Sequence, residues 1–323
     1  MPPPTPTPTI VTLTMNPALD ITTDADVVRP TDKVRCAGSR YDPGGGGINV
    51  ARIAHVLGAA VSAIFPAGGP TGELVTRLVR EAGVPLRRIE IANPTRESFT
   101  VNETSTGKQY RFVLPGPRLS AEEQARCLDE LRREAAAAKF VVASGSLPPG
   151  VPPDWYQQVA DVCREIGVPL ILDTSGGGLT HVKNGVFLLK ASLRELRECV
   201  GRDLATEAER LAAAHELIDR EIAEAVVVSL GSQGALLATG RLSQRFSAVP
   251  VHPVSGVGAG DAMVAAIVVA LSRGLPLAEA VRFGIAAGAA MLLTPGTVAC
   301  TRDDVERFLA VVPGAEDVDA VHT

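Results

Sequence analysis

Gly258-Ala259-Gly260-Asp261 runs straight into Ala262-Met263-Val264-Ala265-Ala266-Ile267-Val268-Val269-Ala270-Leu271-Ser272-Arg273. We read this stretch as a turn of small residues feeding an apolar helix over Gly258–Arg273. Small residues at a helix start leave backbone N–H groups open to an anion. An Asp in that first turn faces the same place. A phosphate would repel it, unless the carboxylate serves to take a proton from the attacking nucleophile. An ordinary Gly-rich turn with an acidic first-turn residue has the same local pattern, so the motif needs its context.

Outward from that helix, short β-branched runs alternate with helical stretches. Ile10–Thr14, Val61–Phe65, Phe140–Ala143, Leu170–Leu172, Val186–Leu189 and Ala225–Leu230 read as buried strands. Gly46–Leu57, Thr71–Ala82, Ala121–Ala137, Pro153–Ile166, Glu207–Arg220 and Leu277–Leu292 read as further helices. The alternation implies an α/β fold with a mostly parallel sheet covered on both faces, a three-layer α/β/α sandwich. Two segments break it, at about 21–41 and 96–114. Ile21–Tyr41 is polar and strand-like. Ser98–Leu114 reads as a hairpin turning at Ser105-Thr106-Gly107-Lys108, which sets Phe99 opposite Phe112 and Val101 opposite Tyr110. These segments are expected to form a small β lid over the carboxyl edge of the sheet. The main domain is expected over 10–312, with a disordered Pro/Thr tail at 1–9 and a loose tail at 313–323.

The composition agrees. Of 323 residues, 46% are hydrophobic and 21% charged, which excludes bulk disorder, and aromatics at 4% fit an aliphatic α/β core better than a β-sandwich. A net charge of −5 offers polynucleotides and anionic membranes no broad basic surface, so neither is expected as a partner. The five cysteines and five histidines show neither paired nor metal-ligand spacing. The longest apolar stretch, Ala262–Leu271, is too short to span a bilayer. A cytoplasmic protein is the expectation.

Other segments carry candidate chemistry. Asp42-Pro43-Gly44-Gly45-Gly46-Gly47-Ile48-Asn49 puts four glycines at a helix start, where they waste helix propensity. A backbone surface that a ligand can touch would explain them, with Asn49 offering a donor and an acceptor. Ser229-Leu230-Gly231-Ser232-Gln233-Gly234 follows a buried strand, and its glycines allow close approach to a nucleotide phosphate. Arg96 and Arg111 share the polar face of the lid, where guanidinium forks match a phosphate or remain solvated. Asp20, just past the first strand, is placed to hold sugar hydroxyls or to sit in a turn. Glu195 at a helix start could hold Mg²⁺ through water or answer the helix dipole. Walker and Rossmann fingerprints are absent.

In this order the segments resemble the PfkB family of ribokinase-like sugar kinases, from Ile10 to about Leu309. Within it, Tyr41–Arg52, Phe65–Gly69, Gln109–Gly116 and Ser144–Val151 are similar to the minor bacterial-type 6-phosphofructokinase branch. The resemblance implies a ribokinase-like fold and ATP-dependent phosphorylation of fructose 6-phosphate at its C1 hydroxyl. Asp261 would be the base, and the N–H groups from Gly258 through Ala259 and Gly260 would stabilise the transferring phosphoryl group. Asp20, Gly45, Asn49 and Ser146 would hold the sugar, and Arg96 and Arg111 its 6-phosphate. Lys33, Lys190, Ser192, Ser229, Gly231, Gly234 and Ala289 would serve ATP. Glu195 would serve Mg²⁺, and Ser255, Val257 and Gly296 a monovalent cation, K⁺. The lid would also pair two copies as a homodimer. Where the family usually has Asn-x-x-Glu, this chain has Ser192-Leu193-Arg194-Glu195, and Gly256 stands where a Thr is usual. The run Asn16–Asp20 is shared with 1-phosphofructokinases and tagatose-6-phosphate kinases. Their loop carries Lys in the third glycine position, here Gly46, which favours fructose 6-phosphate. A sugar-phosphate- or nucleotide-binding regulator with weakened catalysis is the alternative from another class.

Overall fold

The computed structural model describes residues 8–318. Residues 1–7 and 319–323 of the two expected tails lie outside that range. The strands are β1 (Ile10–Leu13), β2 (Ala18–Ala25), β3 (Arg40–Gly44), β4 (Val61–Ala67), β5 (Leu86–Glu90), β6 (Arg96–Glu103), β7 (Gln109–Val113), β8 (Phe140–Ser144), β9 (Leu170–Asp173), β10 (Val186–Ser192), β11 (Ala223–Ser229), β12 (Ala235–Thr239), β13 (Ser243–Phe246) and β14 (Glu316–Asp317). The helices are α1 (Gly46–Val56), α2 (Gly69–Glu81), α3 (Ala121–Ala135), α4 (Trp155–Ile166), α5 (Gly177–Thr180), α6 (Leu193–Val200), α7 (Glu207–Asp219), α8 (Ala259–Ser272), α9 (Leu277–Met291) and α10 (Arg302–Leu309).

The main sheet has ten strands in the order β14-β13-β12-β11-β10-β9-β8-β1-β4-β5. From β11 to β5 every neighbour pair is parallel, and β12 to β14 add an antiparallel edge. The central strands β1 and β4 are buried throughout and mostly apolar because helices cover both faces. Alternation along β1 divides the core: Ile10 packs with α1, α8 and α9, while Val11 and Leu13 pack with residues of α3 and α4. Burial of α8 on all sides explains its uniformly apolar sequence, and Met263 and Met291 are core.

The ends differ from the expectation. Thr9 is already tied to the sheet, its N–H to Ala60 O at 2.8 Å and its carbonyl to Lys139 N at 2.9 Å. Glu316 and Asp317, expected in the loose tail, pair with Arg245 and Gln244 of β13.

The second sheet has four strands in the order β3-β2-β6-β7. Its first segment starts at Ala18 and ends at Gly44, beyond the expected 21–41, and residues 26–39 between β2 and β3 form no strand. The hairpin register is the expected one, Phe99 opposite Phe112 and Val101 opposite Tyr110. Register pairs put Arg40, Thr22, Thr100 and Arg111 in one row across the sheet. The adjacent row is Tyr41, Ile21, Phe99 and Phe112, on the opposite face because strand side chains alternate. One face is therefore charged and the other apolar.

Candidate active site

The site forms where parallel strands end. Ser144 and Asp173 are register partners at the ends of β8 and β9, and Ser192 and Ser229 at the ends of β10 and β11. Above them α8 begins. Its N-cap, Gly258, has a left-handed φ of 79°, and a Cβ there would stand 2.9 Å from Met291 Cε. A Cβ on Gly260 would stand 2.9 Å from Lys190 Nζ. The smallness of this turn therefore lets the helix start approach a buried lysine.

Asp261, in the first turn of α8, accepts a hydrogen bond from Asn49 Nδ2 at 2.9 Å. Asn49 is buried on α1, and its Oδ1 has no partner among the described residues. That carbonyl can accept from a ligand hydroxyl beside the carboxylate. The glycines before Asn49 have a second use besides a ligand surface. A Cβ on Gly46 would collide with Ser144 Oγ and lie 2.9 Å from Ser144 C. A Cβ on Gly47 would lie 2.7 Å from Leu13 O. These glycines let α1 press onto the ends of β1 and β8, and that approach delivers Asn49 to Asp261.

Burial pushes the Asp261 carboxyl up to about 7, and the nearby Asp173 carboxylate pushes the same way. The Asn49 hydrogen bond and the Lys190 charge pull it down. Lys190 pairs with Asp173 at 3.2 Å. Burial alone would favour losing its proton, but Asp173, Glu195 and Asp261 outweigh that and keep it an ammonium. Asp20 is pushed up to about 6 by burial, against the pull of Arg111 and Arg96, with Asp42 adding to the rise.

The remaining expected residues fall as follows. A Cβ on Gly44 would lie 2.5 Å from Asp20 Cγ, so Asp20 packs on the glycine run just before Gly45. Arg96 donates to the carbonyls of Leu114 (3.0 Å) and Asn16 (3.1 Å), while its Nε is buried without a partner among the described residues. Ser146 Oγ accepts from Asn16 Nδ2 at 3.2 Å. A cleft of about 710 Å³ is lined by Arg96, Asn16, Ser146 and Gly116 among others. Ser192 and Glu195 close a capping box on α6: Ser192 Oγ accepts from Glu195 N at 3.3 Å, and Glu195 Oε2 from Ser192 N at 2.8 Å. Glu195 keeps Oε1, which faces Arg194 at 3.3 Å. Gly231 and Gly234 both have positive φ around the turn after β11. Ala289 is buried on α9. Ser255 Oγ accepts from Val257 N at 3.2 Å, and Gly296 takes a φ of 60°. Lys33 stands exposed among residues 26–39, and no hydrogen bond among the described residues joins it to the site.

Sequence reading missed Asp173, Asn16 and Asp42. Asp173 had one usable signal, a carboxylate ending an apolar strand. Asn16 and Asp42 lay within quoted motifs but acquire meaning only through Ser146 and through Asp20, which Asp42 opposes in the lid register.

A carboxylate poised near neutrality, at a glycine-started helix above a parallel sheet and under a β lid, defines a small-molecule phosphotransferase. The model of the pfkB family carbohydrate kinases matches residues 13–304. The chain belongs to that family. It is 70% identical over 311 residues to the ATP-dependent 6-phosphofructokinase isozyme 2 of Mycobacterium tuberculosis, covering 96% of this chain and 92% of that one. To the Escherichia coli protein of the same name it is 40% identical over 303 residues, covering 93% and 98%. The crystal structure of phosphofructokinase-2 from Escherichia coli in complex with fructose-6-phosphate matches with a TM-score of 0.88 at 37% identity, covering 94% of this chain and 99% of that one. The complex of that protein with potassium gives a TM-score of 0.90 at 39% identity, with the same coverage.

Proposed function

We propose that the chain transfers the γ-phosphoryl group of ATP to the C1 hydroxyl of fructose 6-phosphate, giving fructose 1,6-bisphosphate and ADP. The observation that carries this reading is the Asn49–Asp261 pair at the start of α8, in a chain 70% identical to a 6-phosphofructokinase. Asp261 takes the hydroxyl proton, and a base near neutrality is matched to that task at physiological pH. Asn49 Oδ1 and Asp20 orient the sugar, Gly45 and Ser146 line its pocket, and Arg111 with Arg96 bind the 6-phosphate. The N–H groups of Gly258, Ala259 and Gly260 face the charge that develops on the transferring group. ATP is held by Lys190, Ser192, Ser229, Gly231, Gly234 and Ala289, with Lys33 reaching in from the lid.

The residues present fit the expected ions. No cluster of three or more His, Cys, Asp or Glu among the described residues could enclose a metal. Mg²⁺ would then share phosphate oxygens and waters with Glu195 and Asp173, and it would neutralise phosphate charge when bound. K⁺ fits carbonyl oxygens around Ser255, Val257 and Gly296. Those loops are joined where Val254 N donates to Leu292 O at 2.8 Å, and the buried Thr297 Oγ1 beside them has no partner among the described residues.

A homodimer through the lid is supported by its apolar row, where Tyr41 and Phe112 are 46% and 53% exposed beside exposed Val113 and Leu114. No helix among the described residues is long and apolar enough to cross a membrane. A cytoplasmic location remains part of this reading.

The test is ADP release from Mg-ATP with fructose 6-phosphate, fructose 1-phosphate and tagatose 6-phosphate in parallel. Fructose 6-phosphate should give the highest kcat/KM. Preference for either other sugar would overturn the substrate assignment, and no turnover with any would favour a binding regulator.

A further inference from the structure

Among the described residues, one side chain of the lid strands itself hydrogen-bonds to the chain beyond residue 254. Arg40 of β3 donates from one terminal nitrogen to the Pro295 carbonyl at 2.9 Å. Its Nε donates to Asp42 Oδ2 at 2.8 Å, two residues along the same strand and hence on the same face. Asp42 is buried, so it aims the guanidinium rather than following it. The loop is shaped to receive that group. Gly296 has a φ of 60°, and a Cβ there would collide with the Arg40 guanidinium and lie 3.3 Å from Thr22 Oγ1.

A second arginine grips the same loop from the scaffold. Arg52 of α1 donates to Thr297 O at 3.0 Å and to Pro43 O at 3.4 Å. Residues 295–297 therefore sit between a clamp that belongs to the core and one that belongs to the lid. Losing the core clamp would unseat the glycine run. Losing the lid clamp would loosen the lid, which Arg52 still holds through Pro43.

We propose that Arg40 is a positioning residue, a latch that holds the lid against the 295–297 loop and thereby fixes Asp20 over the sugar. The route is short. Asp42, the hydrogen-bond partner of Arg40, lies directly opposite Asp20 in the β2–β3 register. Of the candidate ATP residues only Lys33, between β2 and β3, belongs to the lid, while Ser192, Ser229, Gly231 and Gly234 follow β10 and β11 and touch neither clamp. The latch should therefore act on sugar binding more than on ATP binding. It should also limit water. With the lid loose, water can take the place of the sugar hydroxyl: its oxygen bonds the γ-phosphorus, the bond to ADP breaks, and phosphate, ADP and a proton leave.

The inference rests on the proposed kinase reading, and the test separates the two. Wild type, Arg40→Ala and Arg40→Lys are compared for both KM values, kcat, ATP hydrolysis without sugar, melting temperature, and hydrogen exchange of residues 40–44. Arg40 is about one-third exposed, so solvent screens the contact. We expect Arg40→Ala to raise KM for fructose 6-phosphate about 3- to 20-fold. KM for ATP and the melting temperature should stay near wild type. Sugar-free hydrolysis and exchange at β3 should rise. Arg40→Lys should recover part of the sugar KM, because one ammonium cannot serve Pro295 and Asp42 in the fixed fork geometry. An unchanged sugar KM would overturn the latch. So would a parallel rise in both KM values with a lowered melting temperature, which marks a merely structural residue. If wild type phosphorylates no fructose 6-phosphate, the kinase reading fails instead, and exchange at β3 alone decides whether Arg40 restrains the lid.

Discussion

Asp261→Asn separates the chemistry of this site from its stability, because the two should move in opposite directions. The amide keeps the shape and removes the base, so kcat should fall about 10²–10⁴-fold. Stability should rise. Folding moves the carboxyl from its ordinary 3.8 to about 7, mainly by burial. A carboxyl raised in the folded state contributes stability that is complete below pH 3.8 and is lost as pH climbs towards about 7. At 1.36 kcal/mol per pH unit the full loss would be about 4 kcal/mol. The side chain is half-buried and solvent screens it in part, so we expect about 2 kcal/mol. The amide has no such dependence. Urea unfolding of both proteins at intervals from pH 5 to 8.5 should show the mutant's advantage growing to about pH 7 and then levelling. The same titration should appear as an acid limb near pH 7 in wild-type kcat. A mutant within a few-fold of wild-type kcat would refute Asp261 as the base. A stability difference flat with pH would refute the raised carboxyl.

Three further outcomes follow from the geometry. Arg111→Ala should raise KM for fructose 6-phosphate about 10- to 150-fold, the loss of a charge-assisted bond of ~1.5–3 kcal/mol, while KM for ATP changes little; equal effects on both would mark a structural residue. Lys190→Met removes the cation that holds Asp261 down, so the acid limb of kcat should move up by about one pH unit or more, and a limb that stays in place would remove Lys190 from the charge balance. Gly47→Ala would set a methyl 2.7 Å from the Leu13 carbonyl of a central strand, backbone that cannot yield, and urea unfolding should show a loss of about 1–3 kcal/mol; an unchanged midpoint would show that α1 can back away at no cost.

What could be read from the sequence follows the range of the forces involved. β1, β4 and β8 to β11 were legible because strands covered on both faces are continuous apolar runs. The lid hairpin was legible because its turn chemistry fixes the register locally. The edge strands β13 and β14 were not, since three of the four residues of Ser243-Gln244-Arg245-Phe246 are polar and β14 is two residues held only by β13. Asp261 and Asn49 announced themselves by the small residues around them. Asp173 did not, because a carboxylate ending Leu170-Ile171-Leu172 matters only once β9 lies beside Lys190. Ser192 and Glu195 carry the spacing of a capping box, and the structure uses it as one. That leaves Glu195 a single carboxylate oxygen, which Arg194 shares, for a metal or its waters.

The acidity of the candidate base is set by five elements at once. Asp261 comes from α8, Asn49 from α1, Asp173 from β9, Lys190 from β10 and Asp20 from β2. Burial, Asp173 and Asp20 raise the carboxyl, while Asn49 and Lys190 lower it, and the sum falls near neutrality. Each contribution depends on a close approach that a side chain would block. Gly260 admits Lys190 to the start of α8, and Gly46 and Gly47 admit α1 to the ends of β8 and β1. The glycines that cost helix propensity thus recur wherever the base's surroundings are brought together. A site assembled this way cannot tune one neighbour alone: a change in the packing of α1 moves Asn49, and with it both the orientation of Asp261 and the pH at which it can accept a proton.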